Sequence, residues 1–209
     1  IEVINIYDKS QDPYSTGTSG RQLDEFDSNL FNVMGTWPVT QKIALRADYS
    51  NYYLDYDEGR NSYRNRTDNA GSGYIFYKIL PKTMVFIQYE YIDINFDEDT
   101  LSDSQEHHYF GGLRWYHSAK TFGRLKVGYA KKDFDESGID SYDDIVGEIR
   151  LDYEYSEKTS FYLTATRQIS ESDTQNNYYM LSHSVMAAYN QRLLPRLEGK
   201  LFFTYKRDN

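Results

Sequence analysis

The 209-residue chain is acidic (net charge −9) and polar (39% hydrophobic, mean hydropathy −0.76), yet it carries 22 Tyr, 11 Phe and 2 Trp. That charge argues against nucleic acid as a partner, since phosphates need clustered Lys and Arg, and the absence of Cys removes disulfide frameworks, thiolate chemistry and Cys-based zinc sites. No apolar run of about 18 residues marks a transmembrane helix, but strands cross a bilayer with only alternate residues in lipid, so low hydropathy is compatible with spanning.

Apolar residues recur with period 2, the signature of strands. Eleven strands are predicted at 1–8, 27–37, 42–56, 67–80, 83–97, 107–118, 122–136, 144–156, 160–172, 178–193 and 197–209, with no helix. In the second and third, Phe31, Val33, Gly35 and Trp37, then Ile43, Leu45, Ala47 and Tyr49, form one face, while Arg46 and Asp48 turn the other way. In the eighth, Ile145, Gly147, Ile149, Leu151, Tyr153 and Tyr155 oppose Glu148, Arg150, Asp152 and Glu154. The last strand sets Leu197, Gly199, Leu201, Phe203 and Tyr205 against Glu198, Lys200, Thr204 and Lys206.

The connections alternate between two kinds. Short hinges repeat in strict frame: Lys82 in LPKT, Lys120 in SAKT, Lys158 in SEKT and Arg196 in LPRL follow one another at 38 residues, with WPVTQK as a weaker relative before them. The others are longer and polar or acidic: KSQDPYSTGTSGRQLDEF, DEGRNSYRNR, EDTLSDSQE, SGIDSYD and DTQNN. Short turns on one rim and long loops on the other define an up-and-down transmembrane β-barrel with the short turns periplasmic. Trp37, Tyr49, Tyr77, Tyr89, Tyr91, Trp115, Tyr129, Tyr153 and Tyr155, near the ends of the apolar faces, fit interfacial girdles. Bacterial barrels are usually even-stranded, so an odd count predicts a single barrel domain over 1–209 that belongs to a longer chain with at least one further strand.

Candidate chemistry is sparse. The loop DFDESGIDSYDD, Asp133 to Asp144, approaches EF-hand spacing, but strands flank it and Asp144 stands where a bidentate Glu is needed, so an acidic surface loop is expected. Adjacent His107 and His108 point to opposite faces of a strand and cannot share a metal. Ser182-His183-Ser184 lacks a nucleophile elbow, and no nucleophile, base and oxyanion donor converge, so neither catalysis nor a cofactor is expected. The inward face is then the functional surface: Arg46, Asp48, Lys78, Gln88, Glu90, Arg114, Lys126, Glu148, Arg150, Asp152, Glu154 and Lys200 are predicted to line the lumen. Both signs interleave, which predicts little ion selectivity. In a narrow barrel they would form a salt-bridged plug, and in a wide one, favoured by eleven or more strands, an aqueous channel.

The stretches GLRWYHSAKTFGRLKVGYAKKDFDES, Gly112 to Ser137, and YSEKTSFYLTATRQISES, Tyr155 to Ser172, resemble the "putative β-barrel porin 2" family, the likeness running from about Gln88 to Asn209. The resemblance implies a Gram-negative outer-membrane pore in contact with outer-membrane lipid, several relatives occurring with exopolysaccharide export; it transfers no catalytic residue. The readings to weigh are a porin-like conduit for hydrophilic solute or polysaccharide, a structural or partner-binding barrel (a sleeve around another envelope protein, or an adhesin), and a soluble all-β binding protein.

Overall fold

The computed structural model describes the chain except residues 13–23, 58, 60, 99–102, 137, 171–178, 195 and 209. Eleven strands form one sheet in chain order, each antiparallel to its neighbours: β1 (Glu2–Asp12), β2 (Asp24–Pro38), β3 (Ile43–Tyr56), β4 (Arg66–Leu80), β5 (Thr83–Phe96), β6 (Ser104–Ser118), β7 (Thr121–Phe134), β8 (Tyr142–Ser156), β9 (Thr159–Ser170), β10 (Met180–Leu194) and β11 (Leu197–Asp208). A 3₁₀ turn, Ser62–Arg64, interrupts the β3–β4 loop. All eleven predicted strands are present. The main corrections lie on the long-loop side, where β1 runs four residues further and β2 and β6 begin three earlier than expected. Polar residues continue the ladder there, as in Lys9 opposite Asp27 and Ser104 opposite Phe134. Alternation of apolar residues cannot report a strand end that has stopped being apolar. The loop DTQNN lies outside the described residues.

The two faces are inverted relative to a water-soluble sheet. One face exposes its large apolar side chains, among them Trp37, Leu45, Ile75, Ile87, Tyr109, Val127, Ile145 and Ile149. The other buries Leu54, Phe76, Phe86, Ile94, Phe110, Ala130 and Val146 together with Gln88, Glu106, His108 and Lys132. Arg66 and Asp68 on β4 and Gln168 to Ser170 on β9 line one cavity, although five inter-strand steps of ~4.8 Å would hold them ~24 Å apart in a flat sheet. The sheet is therefore curled, with the charged face concave and the apolar face convex. On the convex face of β8, the ten steps from Ile145 to Tyr155, at ~3.3 Å each and the ~40° tilt usual for barrels, give an apolar band ~25 Å tall, the height of a barrel's lipid-facing belt. All nine predicted girdle aromatics share this face. On its long-loop side the Tyr49 hydroxyl donates to Asn69 Oδ1 at 2.9 Å, and that of Tyr89 meets His107 Nδ1 at 2.8 Å.

The 38-residue repeat has a structural cause. In the four hairpins after β2–β3, one residue falls out of register just before the short turn: Ile79, His117, Tyr155 and Leu193. The residue before each such bulge gives its N–H to the carbonyl of the basic residue in the preceding turn: Lys78 to Lys42 (2.8 Å), Tyr116 to Lys82 (2.8 Å), Glu154 to Lys120 (2.7 Å) and Arg192 to Lys158 (2.7 Å). Each turn is thus tied to the next hairpin, which holds the period. In two turns a serine hydroxyl closes the loop, Ser118 Oγ accepting from Lys120 N–H at 3.1 Å and Ser156 Oγ from Lys158 N–H at 3.2 Å.

One glycine shapes the concave wall. A Cβ at Gly128 would fall inside contact distance of the Tyr109 carbonyl oxygen and the Phe110 ring, whereas one at Gly111 would meet nothing within 4 Å. Gly128→Ala is expected to lower stability by about 1–3 kcal/mol through overpacking, and Gly111→Ala by less than about 0.5 kcal/mol, in equilibrium unfolding from phospholipid bilayers. Equal effects would show that the two faces are not packed as described.

Candidate functional site

Residues directly opposed in an antiparallel ladder share a face, so the register places side chains across strands far apart in sequence. By that criterion all twelve predicted lumenal residues lie on the concave face: Arg46 opposes Tyr74 and Asp48 opposes Ser72 across β3–β4, Glu90 opposes His108 across β5–β6, and Lys126 opposes Glu148 across β7–β8. They fall into three levels from the long-loop end to the short-turn end.

At the long-loop level a buried ionic chain crosses four strands, β4 to β7. Ser72 donates to Glu90 at 3.0 Å; His108 sits between Glu90 (Nδ1, 3.3 Å) and Glu106 (Nε2, 2.7 Å); Lys132 Nζ donates to Glu106 at 3.0 Å. Lys132 is fully buried and Glu106 nearly so, at 0% and 4% exposure, so this charge is paid for by pairing within the wall. Of this chain only Glu90 was anticipated. Glu106, His108 and Lys132 occupy even-numbered inward positions that alternation could have assigned, but their partnership across 26 residues depends on register.

The same level is covered from one side. Pairing of β8 with β9 stops at Gly147–Arg167, while β8 continues to pair with β7 as far as Tyr142. Beyond that point Ile169 is buried against Phe110, Ala130 and Val146. The Tyr179 ring stacks on Tyr142 at 4.0 Å and lies 6.2 Å from Phe134. Ile169 at the end of β9 and Tyr179 just before β10 therefore lie over the concave face. Beneath them lies a cavity of about 370 Å³, lined by Glu90, Glu106, His108, Lys126, Glu148 and Thr166 among others.

The middle and lower levels combine charge with aromatic rings. Lys126 Nζ stands 4.3 Å from the Phe110 ring centroid and 4.0 Å from Glu148, and the Arg124 guanidinium, another member not anticipated, is held by Glu148. Lower down, Arg46 pairs with Asp48 at 2.7 Å and lies over Tyr74, and Arg150 binds Asp152 through two nitrogens at 2.9 and 3.3 Å. Tyr74, Phe76 and Phe86 form a ring cluster with centroids 5.5–6.3 Å apart. Gln88 is buried, whereas Lys78, Glu154 and Lys200 are exposed near the short-turn rim.

The remaining motifs are occupied structurally. Asp133 and Asp144, the ends of the EF-hand-like stretch, belong to opposite faces; Asp133 pairs with Lys131 at 2.6 Å and Asp144 with Arg167 at 2.7 Å. His107 and His108 face opposite sides as their adjacency required. Among the described residues no group of three or more His, Asp or Glu is arranged to hold a metal ion.

A curled antiparallel sheet with an apolar convex face, girdle aromatics and an ionised concave face is the wall of a transmembrane β-barrel. The chain belongs to the family described as "Putative beta-barrel porin 2", whose profile matches residues 34–209. Comparison with curated proteins returns no match. Among solved structures, the chain is similar to the alcaligin outer membrane receptor FauA from Bordetella pertussis, at 15% identity and a TM-score of 0.47, over 99% of this chain and 40% of that one.

Proposed function

We propose that this chain forms the wall of an outer-membrane channel for hydrophilic solute, with its acidic long loops outside the cell and its short basic turns in the periplasm. The observation that carries this reading is the inversion of the two faces: apolar side chains such as Ile87 and Ile145 are about 60% exposed on the convex face, while ion pairs line the concave one. The reaction class is passage without chemistry. An extracellular polysaccharide is the cargo suggested by the family resemblance, and the lumenal rings and ion pairs are compatible with a glycan. Because both signs line the wall, bulk ion selectivity is expected to be weak.

A second reading, a partner-binding barrel whose bore is filled, is favoured by Ile169 and Tyr179, which lie over the concave face at the Lys132 level. Single-channel recording of the full chain in planar bilayers separates the two. Stable open steps are expected, and Tyr179→Ala, which removes the stack on Tyr142, is expected to enlarge them or lengthen the open state. A wild-type protein and a Tyr179→Ala variant that are both silent would support the filled barrel instead.

A further inference from the structure

Three arginines stand side by side on the concave wall. Arg114 directly opposes Arg124 across β6–β7, and Arg124 directly opposes Arg150 across β7–β8. Like charges in directly opposed positions destabilise a sheet, so a row of three requires compensation. It is incomplete. Glu148 takes Arg124 at 3.0 Å and is also shared with Lys126 at 4.0 Å, while Asp152 takes Arg150. Arg114 makes no ion pair with any described carboxylate, and its buried Nε has no hydrogen-bond partner among the described residues. With Glu90, which acts on Lys126 and is shared with His108, four cations thus face three carboxylates in a chain whose net charge is −9.

Aromatic rings hold the unpaired group in place. The Arg114 guanidinium carbon lies 5.4 Å from the Phe76 centroid and 5.8 Å from that of Phe122, and Phe122 also carries Arg150 at 5.9 Å. Stacking occupies the faces of a guanidinium and leaves its N–H edge, the edge that binds carboxylate or phosphate oxygens. Tyr162, 5.2 Å from Arg150, extends the aromatic surface to β9. A site with excess positive charge, one uncommitted guanidinium edge and flanking rings fits an oxyanion carried on a polar solute.

We propose that Arg114, with Arg124 and Arg150 beside it, is an oxyanion-binding subsite of the lumenal wall, taking a carboxylate or phosphate group of the solute. The proposal rests on the channel reading for its use, but not for its test, because binding is measured at equilibrium. The full chain in detergent micelles is titrated calorimetrically at low ionic strength with a uronic-acid trisaccharide, its neutral hexose counterpart and inorganic phosphate. The uronate oligomer is expected to bind more tightly than the neutral one. Arg114→Gln should weaken it about tenfold or more, Arg114→Lys less, and Lys206→Gln, an exposed cation of β11 paired with Asp208 and outside the row, not measurably. Phosphate binding as tightly as the oligomer supports the subsite with a small free anion as occupant; binding of the oligomer alone supports it with an acidic glycan. Equal affinity for the charged and neutral oligomers, no binding of either anion, or an Arg114→Gln protein that folds and binds as the wild type would overturn the proposal. Silence in the bilayer with binding intact would count against the channel and leave the subsite standing.

Discussion

Ile149→Arg is expected to cost about 2–4 kcal/mol of folding free energy in a phospholipid bilayer, although Ile149 is 49% exposed. An equally exposed position in a water-soluble protein would accept the change within about 0.5 kcal/mol. Ile149 opposes Leu125 across β7–β8, near the middle of the apolar band, where a guanidinium has neither water nor a counter-ion. The same substitution at Asn32, half-buried on the concave face of β2, keeps its charge in the polar interior and should cost well under about 1 kcal/mol. Guanidinium-induced equilibrium unfolding of the full chain from lipid vesicles measures both. Tolerance of Arg at 149 would mean that the convex face meets water or protein instead of lipid.

Lys132→Met is expected to cost about 3–5 kcal/mol in the same assay. The ammonium is fully buried and 3.0 Å from Glu106, whose other oxygen holds His108 at 2.7 Å. Removing it strands a carboxylate at 4% exposure with one partner fewer. Lys132→Met combined with Glu106→Gln should recover most of the loss, because replacing both members of a buried ion pair removes the desolvation that pairing had to offset. A neutral single substitution would show that water reaches this level. A double variant as unstable as the single would show that the ion pair itself, and not the stranded charge, holds the wall.

Most of the wall was legible in the sequence because side-chain alternation is a local property. Each residue's face follows from its neighbour's, so Arg46, Glu90, Lys126 and Arg150 could all be placed inward from short runs alone. The repeat was legible for a different reason: Lys82, Lys120 and Lys158 return in frame in the chain itself, and their carbonyls meet the N–H groups of Tyr116, Glu154 and Arg192 at one constant sequence distance. The strand ends were not, because at Lys9 or Ser104 the ladder continues through residues without apolar alternation. The candidate subsite was half legible. Arg114 and Arg150 were placed inward and Arg124 was passed over, but nothing local states that the three are adjacent.

What the sequence by itself determined was the set of strands, their alternating faces and the split between short and long connections, since these depend on residues a few positions apart. Only the tertiary structure decided which inward residues meet. Adjacency across strands is set by register, and the long loops, such as those between β3 and β4 or β5 and β6, carry no fixed count from which register could be read. Curvature was likewise decided by the whole sheet: Arg66 of β4 and Ile169 of β9 line one cavity because several small inter-strand rotations add in the same sense. The paired and unpaired arginines, the buried Lys132 and the placement of Ile169 over the concave face all follow from that curl.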